Sequence, residues 1–311
     1  MPESASEYDY LARGQMLLQQ GNFPAAISDF DRALSINPEF APAYYYRGIA
    51  HRNSGNYSQA ITDYSSAVEA EPDYPVAFYA RGVVRRHLEE YETAIQDYDQ
   101  AIALEPEDAD FYYARGVAHA SLKNYDDAIA NFRQALDLNP EMPNAWYNLG
   151  IAHRDLGKLA EAEEFYSTAL KIRPNDADYC YARGNLYSDL HKYEAAVVDY
   201  DRALAIVPTF SNALYNRGIA LRNLGRPEEA IASFNEALRF GPAFASLIMN
   251  RGIAHADLGD LTAALNDLNR SLEMDMGLVG AYRARSEVHR TLGNEAEAEA
   301  DWQEFERLSE K

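Results

Sequence analysis

Large apolar residues recur along the chain at helical spacing, and the whole pattern returns in register every 34 residues. With unit starts at 7, 41, 75, 109, 143, 177, 211, 245 and 279, nine units fill residues 7–311 without an insertion, and 1–6 remain as a short N-terminal tail. Position 4 of a unit is large and apolar (Tyr10, Tyr44, Phe78, Tyr112, Trp146, Leu214, Ile248, Tyr282), and position 8 is Gly from Gly14 to Gly252. Position 20 is Ala from Ala26 to Ala298, and position 24 is mostly aromatic (Phe30, Tyr64, Tyr98, Phe132, Tyr166, Tyr200, Phe234, Trp302). Positions 4, 7, 8 and 11 share one helical stripe, and 20, 24 and 27 share another, which predicts two amphipathic helices of about thirteen residues per unit. Gly at position 15 (Gly21, Gly55, Gly157, Gly225, Gly259, Gly293) ends the first helix, and Pro at 32 ends the second. Small residues at 8 and 20 let the two helices approach closely. One such pair cannot bury its apolar face alone, so stacking on neighbouring units must supply the core.

These spacings resemble those of the tetratricopeptide repeat family, over essentially the full chain. The departures are local: Arg replaces Leu at position 7 in every unit but the fifth, His often stands at 11, Met276 replaces Pro in the eighth unit and Ser286 replaces Gly in the ninth. The resemblance implies an all-α, right-handed superhelical solenoid of helix-turn-helix repeats. Positions 21 and 28 of the second helix are apolar in most units, as in Ile95/Ile102 and Leu265/Leu272, but read Glu299/Glu306 in the ninth, which marks that unit as a C-terminal cap. Glu163, at position 21 of the fifth unit, is either a snorkelling surface residue or the sign of a looser junction to the sixth.

Composition narrows the function classes. Lys and Arg number 28 against 49 Asp and Glu, a net charge of -21, which speaks against nucleic acid or an anionic membrane as partner. Cys180 is alone, so no internal disulfide or Cys-based metal site can form, and no apolar run approaches a membrane span. The expectation is a soluble, cytoplasmic protein. No phosphate loop, zinc-protease or nucleophile-elbow motif is present, and every residue of interest recurs at the repeat period, so no catalytic residue, cofactor or metal is assigned. His51, His119, His153, His255 and His289 all occupy position 11 and read as side chains hydrogen-bonded within the packed stripe rather than as metal ligands.

Arg recurs at position 7 (Arg13, Arg47, Arg81, Arg115, Arg183, Arg217, Arg251, Arg285), and Asp recurs at position 23 (Asp29, Asp63, Asp97, Asp199, Asp301). The reading adopted is structural ion pairing of each Arg with such an Asp in its own or the preceding unit, which leaves out Arg251. Leu149, the one non-Arg at this position, has Asn131 and Phe165 in the corresponding slots.

In the family resembled, first helices line a concave groove that holds a peptide. Position 5, one of its lining positions, is Tyr in six consecutive units: Tyr45, Tyr79, Tyr113, Tyr147, Tyr181 and Tyr215. Asn148, Asn216 and Asn250 at position 6, Asn185 at 9, and Arg52, Arg86, Arg154 and Arg222 at 12 complete the candidate peptide-binding set. The family's carboxylate-clamp pattern is not met, because Tyr181, Ser246 and Asn250 stand where its cations belong. The first fourteen positions of the nine units hold 15 Arg and 8 acids, whereas the rest of the chain holds 13 basic and 41 acidic residues. The implied function is a scaffold binding an extended protein or peptide ligand. A self-assembling homo-oligomer, or a basic partner on the acidic convex face, are the alternatives.

Overall fold

A computed structural model describes residues 5–310, and among these there is no strand. The chain divides into two compact units, Met1–Gly157 and Lys158–Lys311. The first unit holds α1 (Glu7–Gln19), α2 (Phe23–Ile36), α3 (Ala41–Asn53), α4 (Tyr57–Ala70), α5 (Pro75–His87), α6 (Tyr91–Leu104), α7 (Ala109–Ser121), α8 (Tyr125–Leu138) and α9 (Pro143–Asp155). The second holds α10 (Leu159–Ile172), α11 (Ala177–Asp189), α12 (Tyr193–Ile206), α13 (Ser211–Asn223), α14 (Pro227–Phe240), α15 (Ala245–Asp257), α16 (Leu261–Met274), α17 (Val279–Thr291) and α18 (Glu295–Ser309). Odd-numbered helices are the first helices of the predicted repeats and even-numbered ones the second, with boundaries where the repeat pattern puts them.

Position 15 reverses the chain between the two helices in a left-handed backbone conformation. Gly supplies it at Gly21 (φ 75°), Gly55 (φ 77°) and the other glycines of this position, where a side chain would be strained. Three repeats keep the same conformation without Gly, at Glu89 (φ 63°), Lys123 (φ 61°) and His191 (φ 56°). The turn is therefore held by its hydrogen bonds, in which the next residue donates back to the carbonyl of position 11, as in Asn56 N–H to His51 (2.8 Å), Glu90 to Arg85 (2.9 Å) and Asn124 to His119 (2.9 Å).

The aromatic ring at position 24 fills the space that Gly leaves at position 8. Phe30, Tyr64, Tyr98, Phe132, Tyr200 and Phe234 are fully buried. A methyl group placed on Gly82 would stand 2.7 Å from Cε1 of Tyr98. Burial is continued between repeats: in the second unit Tyr200, Leu214, Leu221, Phe234 and Leu247, from four successive helices, belong to one apolar cluster. Each such ring contributes on the order of 2 kcal/mol of burial, which neither helix of a pair could gain alone. In α18, Glu299 and Glu306 are exposed where Leu272 of α16 is buried. Glu163 is half-buried, accepts hydrogen bonds from Tyr187 (3.2 Å) and Lys192 (2.8 Å), and so ties α10 to α11 and to the N-cap of α12.

The arginines at position 7 form a ladder with a different rule from the one read in the sequence. In most repeats the Nε and Nη2 edge of the guanidinium faces position 23 of its own repeat and Nη1 reaches position 25 of the preceding one; Arg217 is turned over, with Nε on Asp201 of the preceding repeat and Nη1 on Ser233 of its own. Arg47 donates to Asp63 (2.6 Å) and to Asp31 (2.6 Å), and Arg81 to Asp97 (2.8 Å) and the Ser65 hydroxyl (2.9 Å). Arg251 pairs with Asp267 (2.7 Å), the position-23 Asp of its own repeat, which corrects the expectation that it stands alone. Where position 23 is not an acid, position 25 of the preceding repeat is: Arg115 donates to Asn131 (2.7 Å) and pairs with Asp99, and Arg217 donates to the Ser233 hydroxyl (2.6 Å) and pairs with Asp201 (2.5 Å). The acids of the preceding repeat are thus at position 25 and not at 23. Arg13 bridges to Asp29 (2.5 Å) and holds that carboxyl below its usual pKa through this hydrogen bond.

Leu149 obeys the same logic in reverse, since position 25 of the preceding repeat, the slot that Nη1 reaches elsewhere, carries Arg133 and the position-23 residue of its own repeat is Phe165 in sequence, neither an acid. Leu149 itself is only 1% exposed. Leu149→Arg is expected to lower stability by about 1.5 kcal/mol, the low end for burying one leucine because the guanidinium reaches water. Urea unfolding followed by the Trp146 fluorescence tests this, and a variant as stable as the parent would contradict the pairing rule.

Candidate functional site

First helices of successive repeats touch one another, α1 with α3, α5 with α7 and α7 with α9 in the first unit, and α11, α13, α15 and α17 in sequence in the second. Contacts of this density between second helices are absent among the described residues. In each unit, then, the first helices are crowded on the inner side of the stack, and the residues of position 5 lie along it.

The six tyrosines of position 5 are all half-buried. Five of them rest against the position-24 ring of their own repeat: Tyr45 on Tyr64 (centroids 6.0 Å apart), Tyr79 on Tyr98 (5.9 Å), Tyr113 on Phe132 (5.9 Å), Tyr181 on Tyr200 (6.1 Å) and Tyr215 on Phe234 (6.1 Å). Four also meet an aromatic residue at the entry to the next repeat, as Tyr181 meets Phe210 at 4.8 Å. One face of each of these five rings therefore belongs to the core, and burial raises the hydroxyl pKa of Tyr45, Tyr79 and Tyr215.

The asparagines of position 6 are joined to these tyrosines. The amide nitrogen of Asn148 donates to the Tyr113 hydroxyl, Asn216 to Tyr181 and Asn250 to Tyr215, each at 3.1 Å and each 35 residues apart in the chain. Asn148 and Asn250 spend the second amide proton on a helix carbonyl four residues back, at 2.8 Å in both cases. Asn216 spends its second on Asn185 (2.8 Å), whose oxygen also accepts from the buried Tyr200 hydroxyl (2.9 Å). Arg222 donates to Asn250 (3.1 Å), and Arg154 meets Asp155 (3.3 Å). In the second unit the inner face is thus a polar network whose members largely satisfy one another.

Arg52 and Arg86 on α3 and α5 are different. Arg52 meets only its neighbour Asn53 (3.3 Å), and Arg86 has a buried Nε without a hydrogen-bond partner. The position-6 slots after Tyr45 and Tyr79 hold Ala80 and Ala114, so no Asn reaches these two hydroxyls.

The position-11 histidines divide. His153 is hydrogen-bonded through Nδ1 to the Leu149 carbonyl at 2.9 Å, and His289 meets Asn294 at 3.3 Å. Nδ1 of His51, His119 and His255 is buried without a hydrogen-bond partner, contrary to the expectation for the whole set. Burial lowers the pKa of His119. No three of His, Cys, Asp and Glu among the described residues gather as a metal cage would require. No helix among them is long and apolar enough to cross a membrane.

A family model described as tetratricopeptide repeat matches residues 11–75, 123–177 and 181–243, and a second, described as TPR repeat, matches 84–123. Similar solved structures include YrrB, titled a TPR protein with an unusual peptide-binding site, at 25% identity over 60% of this chain and 95% of that one (TM-score 0.51). MamA is similar at 25% identity over 53% of this chain and 97% of that one (TM-score 0.50). PilF of Pseudomonas aeruginosa shares the fold, at 21% identity over 70% of this chain and 97% of that one (TM-score 0.60). No curated protein gives a significant match. None of these matches indicates a catalytic family.

Proposed function

The chain belongs to the tetratricopeptide repeat family, and we propose that it works as a non-enzymatic scaffold holding an extended segment of a partner protein against its inner row of first helices. A protein-interaction role accords with the fold and with the likeness to YrrB, which has a peptide-binding site. The observation that carries the finer reading is the row of position-5 tyrosines: half-buried rings locked from one side by the core offer apolar area at little entropic cost. Locked rings lose almost no freedom on binding, and a single site of this kind sustains micromolar affinity, about 8 kcal/mol. In this reading the nine units act as one array closed by the ninth as a cap, in the cytoplasm, and the acidic outer helices keep it soluble.

Affinity capture from lysate compares the parent chain with Tyr113→Ala/Tyr147→Ala/Tyr181→Ala and with Val198→Arg, which alters an exposed apolar residue of the outer helix α12 (59% exposed). Partners retained by Val198→Arg and lost by a folded tyrosine variant are the expected result. Capture unchanged by the tyrosine substitutions would transfer the function to the acidic outer face, and recovery of the chain's own copies alone would make it a self-assembling scaffold.

A further inference from the structure

Helices α3 and α5 together carry five arginines, two histidines and no acid, within a chain whose net charge is -21. Three of those arginines are engaged, Arg47 with Asp63 and Asp31, and Arg81 and Arg85 with Asp97. Arg52 and Arg86, one repeat apart, have no carboxylate among the described residues, and both line a single cavity of about 330 Å³. Its remaining wall holds Val83 and Val84, the polar Asn53, and Tyr57 and His87, whose rings lie 4.5 Å apart. The buried hydroxyl of Tyr64 makes no hydrogen bond and feels the charge of Arg52, while that of Tyr98 lies against the Arg86 guanidinium. The hydroxyls of Tyr45 and Tyr79, close enough to the same two arginines to feel their charge, are also unspent among the described residues.

Leaving the Arg86 Nε and the Tyr64 hydroxyl buried without full partners costs free energy that a bound acceptor would recover. A carboxylate is the acceptor that matches: it takes several donors at once and pairs with guanidinium in the planar, forked manner that a neutral amide does not. The contrast inside the chain points the same way, since around Tyr181 and Tyr215 the equivalent groups are already satisfied by Asn216, Asn185, Asn250 and Arg222.

We propose that the face of α3 and α5 is the anchoring point of the groove, and that Arg52 and Arg86 there clasp the side-chain carboxylate of an Asp or Glu in the bound peptide. The chain's overall negative charge does not prevent this, because at about 0.15 M salt charges beyond roughly 8 Å are screened while a contact pair is not. The inference rests on the groove reading above and specifies the ligand it takes.

A random dodecapeptide library displayed on phage and selected against the parent chain at that ionic strength provides the probe. Selected sequences, synthesised with a zwitterionic dye, are then titrated by fluorescence anisotropy. Enrichment in Asp and Glu is expected, with affinity falling at least about tenfold in Arg52→Gln/Arg86→Gln, the loss of one charge-assisted hydrogen bond, and by less in Arg52→Lys/Arg86→Lys, which keeps the charge but not the fork. Neither arginine holds an ion pair of the fold, and circular dichroism confirms that the variants are folded. Peptides with a free carboxyl terminus as their only acid, bound equally well, would overturn the assignment to a side chain. Peptides without acidic enrichment, weakened only by the tyrosine substitutions, would overturn the inference and leave the groove reading standing. Peptides indifferent to both sets of substitutions would overturn both.

Discussion

Asp97→Ala is expected to destabilise the first unit by about 3 kcal/mol, the low end for breaking a buried ion pair by removing one partner. Asp97 is 2% exposed and receives Nε and Nη2 of Arg81 (3.1 and 2.8 Å) and Nη1 of Arg85 (2.9 Å), so its loss strands two guanidiniums. Their side chains are 14% and 21% exposed, so each retains some water, which keeps the cost from the upper end of the range. Asp97→Asn should cost less, because the amide oxygen still accepts from Nε, as Asn131 does from Arg115. The fourth repeat also shows how to repair that loss: Arg115 offsets its missing position-23 acid with Asp99 at position 25 of the preceding repeat. The equivalent slot for Arg81 is Ser65, at 2.9 Å from Nη1. Ser65→Asp in the Asp97→Asn background should therefore return part of the lost stability, whereas Ser65→Asp alone, facing an arginine that is already paired, should return little. Urea unfolding of the four proteins, read by Trp146 fluorescence and circular dichroism, measures the coupling directly. Additive effects of the two substitutions would show that the acids act independently and would refute the ladder rule.

Gly218→Ala should cost about 2 kcal/mol despite placing a better helix former mid-helix. The added Cβ would lie 2.5, 2.7 and 2.8 Å from three ring atoms of Phe234, a fully buried side chain with no direction in which to yield. Overpacking of this kind costs about 1–3 kcal/mol or somewhat more, and the roughly 1 kcal/mol gained in helix propensity offsets part of it. Gly252→Ala, one repeat on, is the internal control. There position 24 is Leu268 rather than an aromatic ring, and the nearest atoms are the Asp267 Cβ at 3.0 Å and the Leu268 Cγ at 3.2 Å, so propensity and crowding should nearly cancel. Because neighbouring repeats share one core, the Gly218→Ala loss should appear in hydrogen exchange of α12 to α15 before it appears at the chain ends. Equal effects of the two substitutions would mean that the ring does not set the spacing of the helix pair. The ninth repeat accommodates Ser286 at this position by a different route, its hydroxyl donating to the Ala298 carbonyl at 2.7 Å.

The 34-residue period, the two helices of each repeat and their close approach at the small residues of positions 8 and 20 were legible in the sequence, since each depends on residues close in the chain or on a pattern repeated many times, whereas the ring of position 24 that fills the space at Gly was not. Short-range physics also set the turn, though only in part. Gly21 and its equivalents announce it, while Glu89, Lys123 and His191 adopt the same left-handed conformation because a backbone hydrogen-bond pattern shared by all repeats overrides their side-chain preference. The peptide-groove candidates were legible as a list of positions but not as a set of free or spent groups.

That last distinction was decided by tertiary structure. Whether Asn148 is available to a ligand depends on Tyr113, 35 residues earlier, and whether Arg217 has an acid depends on Asp201 in the preceding repeat and not on position 23. Such pairings cross from one repeat to the next, and helix spacing and side-chain direction, not sequence separation within a repeat, determine which atoms meet. The sequence by itself determined the repeat and its helices. The stacking of repeats determined which of the inner residues satisfy one another, and left Arg52 and Arg86 as cations without a carboxylate, because no acid is placed within their reach.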